Sequence, residues 1–213
     1  METTTIVAAD GLLTIERVAL ALGKTPVERT LPNGKIVNQI VWEGCDLTKV
    51  AELLHNHSAE MPEVVDVDGP APAWLTTALV HEVHPRHARL NSPDGFIAVG
   101  VSGRPTGQGS GPATFTVTDL GTAGNGRRLL KVDFQIDPAT PFKAEQLDEV
   151  VPPSVGLSDV VVLSGRGPNW LATSVAMAYH GRAAACAMFQ PGAGATVAWT
   201  HVADIPLGDV IAI

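Results

Sequence analysis

Val64–Pro85 reads VVDVDGPAPAWLTTALVHEVHP, and Val160–Gly181 reads VVVLSGRGPNWLATSVAMAYHG. With Gly69 set on Gly165, Pro72 falls on Pro168, Trp74 on Trp170, Leu75 on Leu171, Thr77 on Thr173 and His84 on His180, without a gap. A Trp followed at a fixed distance by a His, behind the same Gly-x-x-Pro, is hard to obtain by chance in a chain with 4 Trp and 7 His. Repetition of this kind constrains a fold more than any composition figure, because it means one supersecondary unit built twice.

The flanks repeat more loosely. ERTLPNGKIVNQIVWEG precedes the first copy and TVTDLGTAGNGRRLLKVDFQID the second. The turn signals Asn33-Gly34 and Asn125-Gly126, each between strand-like runs, predict a β-hairpin in each flank. Helices are expected over Asp46–His57 and Thr140–Val151, with Asp46 and Thr140 as N-caps. A buried strand, a Gly-x-x-Pro turn and a helix ending at the His follow in each copy. GFIAVGV closes the first unit; ATVAWTHV and DVIAI close the second. The expected fold is α/β (α+β): two similar β-hairpin–α–β–α–β units in tandem, related by a pseudo-twofold. They would occupy residues 1–103 and 113–213, joined by a Gly-rich linker over 104–112, with residues 1–25 adding an element.

With 213 residues and 45% hydrophobic composition, the chain can bury a sizeable core. Cys45 and Cys186 read as small core residues of a reduced, cytoplasmic protein. The opening residues lack the charge and apolar length of a leader, and no apolar run reaches the roughly 20 residues of a membrane span. A net charge of −8 argues against a protein that coats duplex nucleic acid through a basic face. A small anionic ligand held by a few aimed groups remains compatible with it.

The second loop, LSGRGPNWL, has the chemistry for such a ligand. A hydrophobic strand ends, Gly165 and Gly167 flank Arg166, and Pro168 sits at a helix start, where its missing N–H leaves no donor unpaired. Free N–H groups and the positive helix end favour phosphate there. Arg166 would add a two-pronged contact and Ser164 a hydroxyl. The first loop, with Gly69, has no arginine. Trp74 and Trp170 read as helix-face core or as surfaces on which bases stack. His84 and His180 read as helix C-caps or as reacting groups, with Gly181 suited to the left-handed conformation after the second helix. His201 falls in a strand run, where a polar residue needs a reason. His81 and His84, three apart, have a spacing that can hold a metal, though no Cys or carboxylate cluster lies near them in sequence.

The second half resembles the small CRISPR-associated ring nucleases of the third type, found with type III CRISPR systems. The resemblance rests on VVLSGRGPNWLATSVAMAYHG, AMFQPGAGATVAWTH and PLGDVIAI and spans roughly Leu129–Ile213. The first half, about Thr30–Gly103, resembles the family through the second. The resemblance implies a fused pair that binds and cuts cyclic oligoadenylate, most readily cyclic tetra-adenylate, and so switches off a CRISPR alarm. It implies a monomeric pseudo-dimer or a homodimer, with Ser164, Gly165, Arg166, Gly167, Trp170, Gly69 and Trp74 as ligand-binding residues. The family also uses an Asp with nearby His residues in metal-dependent cleavage, so manganese enters as an implied cofactor. Here Gln190 replaces that Asp and Gly192 the family's Arg. The expectation is therefore cleavage without a metal or other cofactor. The ribose 2′-hydroxyl would attack its own phosphate, with His180, His201 and His84 as catalytic residues. A sensor or sponge that binds without cutting is the alternative; a general RNA exonuclease is a weaker third, opposed by the acidic charge.

Overall fold

The computed structural model describes residues 6–31, 33–101, 103–124 and 126–213, so Asn125 of the second turn signal and Ser102 lie outside the described residues. The mixed α/β class is as expected. A six-stranded sheet has the order β12 (Val210–Ile211), β11 (Gly194–Thr200), β10 (Ala185–Gln190), β9 (Val160–Arg166), β8 (Arg127–Ile136), β7 (Ala113–Ala123). A four-stranded sheet has the order β1 (Leu12–Thr14), β4 (Val64–Asp68), β5 (His87–Ser92), β6 (Gly95–Ala98). In both, a parallel pair is followed by an antiparallel strand: β4 and β5 then β6, β9 and β10 then β11. Both parallel pairs are joined through a helix, α3 (Ala73–Val83) in the first and α4 (Asn169–Ala178) in the second.

The two hairpins differ in use. β7 and β8 pair as a hairpin, and β8 runs parallel to β9 within the large sheet. The first hairpin, β2 (Val27–Thr30) with β3 (Ile36–Gln39), forms a separate two-stranded sheet instead. Its place beside β4 is taken by β1, in parallel register from Leu12↔Asp66 to Thr14↔Asp68. The added element of the first 25 residues is thus β1 followed by α1 (Ile15–Ala21), started by the Thr14 hydroxyl accepting from the Arg17 N–H.

α3 and α4 are apolar on almost every side, as a helix enclosed all round must be. α3 touches α4 and also β10 and β11 of the other sheet; α4 touches β5. One continuous core therefore runs through both halves, from Leu13, Val65 and Leu75 to Leu163, Leu171 and Trp199. At the helix crossing the aligned hydroxyls of Thr77 and Thr173 meet at 3.2 Å, fully buried. β9 is buried on both faces: Val161 and Leu163 face this core, Val160 and Val162 a smaller cluster with Ala187, Val197 and Ile205.

Several local expectations need correction. α2 covers Asp46–Asn56, close to expectation, with Leu47, Val50 and Leu54 buried at helical spacing. Asp46 is its first residue rather than the N-cap, and its carboxylate accepts from the Glu43 N–H at 2.8 Å. Thr140 caps nothing. Only a 3-10 turn forms over Ala144–Glu149, closed by Gln146 Oε1 accepting from the Lys143 N–H. Two segments for which no element is expected, β5 and β10, are paired strands: β5 is short and mostly polar, and β10 is a short apolar run without a period of its own. The Gly-rich stretch is tied down. Ser110 exchanges backbone hydrogen bonds with Val151, and Thr106 donates to the Pro152 carbonyl. A Cβ at Gly111 would collide with the Glu149 carbonyl, so close approach explains that glycine. Cys186 is core, but Cys45 is exposed. No helix among the described residues is long and apolar enough to cross a membrane.

Candidate functional site

Four histidines meet where α3 and α4 end. His81 stands in the last turn of α3, and His84 directly follows that helix. α4 ends at Ala178 with Tyr179 as C-cap, so His180 lies one residue further, ahead of Gly181 at φ +70°. β11 delivers His201 just past its end, where the His201 N–H donates to the Ala184 carbonyl at 2.9 Å and the Ala184 N–H to Asp159 at 2.8 Å. His180 is the hub. Its ring centroid lies 5.0 Å from His81, 4.9 Å from His84 and 4.8 Å from His201. Trp199, fully buried, forms the floor: its ring is parallel to His81 at 6.0 Å and edge-on to His180 at 5.8 Å.

Burial lowers the pKa of His180 to about 4, and the neighbouring His81, His201 and His84 rings add to the effect, since imidazolium ions repel. His201 is lowered for the same reasons, burial first and His81 second. Both are neutral at pH 7 and offer a lone pair. The ligand nitrogens of His81, His180 and His201 lie within 4.8 Å of one another. His81 Nδ1 lies 3.0 Å from Glu82 Oε1. Arg182, two residues past His180, makes no side-chain hydrogen bond or ion pair among the described residues, so a guanidinium is available near this end.

The glycine loops are elsewhere. Ser164, Gly165 and Arg166 form the last residues of β9, in register with Asp133, Phe134 and Gln135. A Cβ at Gly165 would strike the Phe134 ring, so packing requires this glycine whatever else it does. Gly69, at φ +113°, sits against Ile15. Pro168 and Pro72 are N-caps in extended conformation, one position earlier than the first helical residue. Arg166 is exposed and unpaired among the described residues, aimed at solvent beyond the sheet. Trp170 is buried and stacks on Phe142 at 5.6 Å. Trp74 is buried too and donates from Nε1 to Gln190 Oε1 at 3.2 Å. A cavity of about 740 Å³ opens at this end, lined in part by Arg29, Asn38, Trp42, Trp74 and Gln190.

The two groups stand at opposite ends of the large sheet. β10 starts beside Val160, where the turn after α4 returns, whereas Arg166 is the far end of the same seven-residue strand. At about 3.3 Å per residue, β9 separates them by roughly 20 Å. His81, His84, His180 and His201 come together; Ser164, Gly165, Arg166 and Gly167 do not join them. Gln190, at the last position of β10, belongs to the loop end as well. Three members of the histidine end were not singled out for it beforehand: His81 as a partner of His201, Trp199, and Arg182. Spacing relates His81 to His84, but only packing across the two halves relates it to His201.

Residues 135–212 match the family model described as CRISPR-associated protein (Cas_csx3). The match is under half of the chain. It takes in β9 to β12, α4, His180 and His201, and excludes His81 and His84. The C-terminal part of this chain is thus similar to a family of CRISPR-associated proteins, which supports a CRISPR-associated role.

Proposed function

We propose that the chain binds a cyclic oligoadenylate and cleaves it at the histidine end, ending a CRISPR signal. The observation that carries this reading is the convergence of His81, His84, His180 and His201 from both halves beside Trp199. The resemblance to the ring nucleases supplies the substrate class, and the family match supports its CRISPR setting.

The reaction is an internal transfer. The ribose 2′-oxygen attacks the adjacent phosphorus, the bond from phosphorus to the 5′-oxygen breaks, and a 2′,3′-cyclic phosphate and a 5′-hydroxyl remain. A neutral imidazole takes the 2′-hydroxyl proton, and a second imidazole, protonated, returns one to the leaving oxygen. His180, held neutral, suits the base, and His84, 4.9 Å away, is placed as the acid, with His201 a second neutral imidazole that can take a proton. Arg182, without a side-chain partner among the described residues, is the nearest such guanidinium in sequence for the developing phosphate charge.

Arg166 has a different part. Groups that act on one phosphodiester stand within about 3–3.5 Å of the reacting atoms, and Arg166 is a strand length away. It captures anions at the loop end, where the first helical N–H groups of α4 add their dipoles. Gln190 does not supply the acid of the family pattern. That side chain is neutral, its oxygen is engaged by Trp74, and it lies at the opposite end from the histidines.

A second reading, binding without cutting, is favoured by this same separation. Incubation with cyclic tetra-adenylate in EDTA distinguishes the two. Linear product ending in a cyclic phosphate is the expected result. Tight binding with the ring intact would establish the sponge instead, and no uptake of the ring would end both.

A further inference from the structure

The first half departs from the repeat in topology, and a cavity lies at the departure. Because β1 takes the place beside β4, the β2–β3 hairpin stands apart as its own sheet, whereas in the second half β8 stays beside β9. The cavity of about 740 Å³ is lined by α1, by the detached hairpin with residues 40–42, and by residues 70–72 of the first Gly-x-x-Pro turn. We propose that it binds a purine nucleotide, with the base against its apolar lining and the phosphate at Arg29. The proposal concerns neither the Arg166 loop nor the histidine end, and it does not depend on the cyclic-oligoadenylate reading.

Size and lining carry it. Sites for small molecules are mostly apolar, with a few placed polar groups, and this volume falls in their range. Ile15, Ala19, Leu20, Val41, Pro70 and Pro72 supply the apolar part, and Trp42 adds an aromatic ring. Two cations are near, and one is committed: Lys24 Nζ lies 2.6 Å from Asp46 Oδ2 and donates to the Val41 carbonyl at 3.1 Å. Arg29 has no side-chain partner among the described residues, so it is the lining cation left for a phosphate. Gln190 is oriented by Trp74. The indole N–H can only donate, so it fixes Gln190 Oε1 as acceptor and leaves the Gln190 amide NH₂ to donate elsewhere. Asn38 offers a donor and an acceptor, and Glu16 an acceptor for an exocyclic amine. A purine edge carries ring-nitrogen acceptors beside its amine or carbonyl, and side-chain amides pair with the adenine edge in this way.

Of these lining residues only Gln190 lies within the matched residues 135–212; the others lie between Ile15 and Trp74. The cavity is therefore a property of the fused chain, built by the half that departs from the repeat. A free mononucleotide and one nucleotide of a larger oligoadenylate present the same chemistry to it.

The test is calorimetric titration of the full chain with 5′-AMP, for which one site per chain is expected. Arg29→Ala should weaken binding about 10-fold or more and Asn38→Ala about 10-fold. Both side chains are exposed on the hairpin, so the thermal midpoint should hold. Ribose 5-phosphate, which lacks the base, should bind at least about 10-fold more weakly than AMP. AMP affinity should survive Arg166→Ala. Cyclic tetra-adenylate added to the AMP complex then separates the two sources: displacement of AMP assigns the cavity to a nucleotide of the ring, and joint binding assigns it to a free nucleotide. No uptake of AMP overturns the proposal. So does uptake that Arg29→Ala and Asn38→Ala leave intact, equal binding of ribose 5-phosphate, or loss of AMP affinity in Arg166→Ala. Because the probe is a mononucleotide, these outcomes are independent of whether the ring is bound or cut.

Discussion

The two ends of the α3–α4 pair are built from aligned sequence and yet have opposite chemistry. At the loop end the helices begin and Arg166 is exposed, without a side-chain partner among the described residues, where we propose that anions are held. At the other end the helices stop and four imidazoles crowd together, His180 with its proton affinity lowered. The difference teaches that a motif read along the chain as one site can be two. A strand–loop–helix unit places the two ends of its helix at opposite edges of the sheet. Arg166 and His180 are close in sequence but stand at opposite ends of β9, a strand roughly 20 Å long.

Experiments can break or sharpen this contrast. His180→Ala should have the largest effect. Ring cleavage measured by product formation should fall by about 10²–10⁴, the range for a positioned acid or base, with ring affinity retained. An unchanged rate would move the reaction away from the histidine end. Gly165→Ala should cost about 1–3 kcal/mol in urea unfolding, because the new methyl group meets the Phe134 ring. Its effect should be one of stability, without the specific loss seen at His180. Arg166→Ala should weaken binding of the anionic ring about 10-fold or more, the size of a charge-assisted hydrogen bond. It should leave the saturated cleavage rate intact; a fall as large as that of His180→Ala would place both ends in one site.

At the helix crossing, Thr77→Val alone should cost about 1–3 kcal/mol, since it strands the Thr173 hydroxyl in the core. Thr77→Val with Thr173→Val should recover most of it, because neither polar group is then left unpaired. Restoration failing in the double variant would mean that the two hydroxyls do not depend on each other. The smallest effect concerns pH. His180 has a lower pKa folded than unfolded, so the unfolded chain binds more protons between about pH 6.5 and 4. Metal-free protein should therefore lose stability as pH falls through that window, and His180→Gln should flatten the dependence.

Much of this architecture is legible in the residues. The repeat announces a strand followed by a helix in each copy, found as β4–α3 and β9–α4, and Asn33-Gly34 announces a hairpin, found as β2–β3. The sequence is less legible where elements are short or crowded. β5 and β10 are made strands by their neighbours, and Lys143–Gln146 rather than Thr140 closes the turn before β9 because only a 3-10 turn fits there. β1 displaces the first hairpin from its sheet, a substitution that hairpin chemistry cannot foretell, since both segments can pair with β4 in principle.

For function, the chain by itself determined which groups exist: one guanidinium in one of two loops, paired histidines at matched positions, His201 without a mate, and Gln190 where an acid would stand. These are matters of side-chain type and local spacing. Tertiary structure decided which of them act together. Packing α3 against the opposite sheet carries His81 to His201 and Trp74 to Gln190, each across more than a hundred residues of chain. Burial in that same contact shifts the His180 proton. Both depend on distances through space that no interval along the chain encodes.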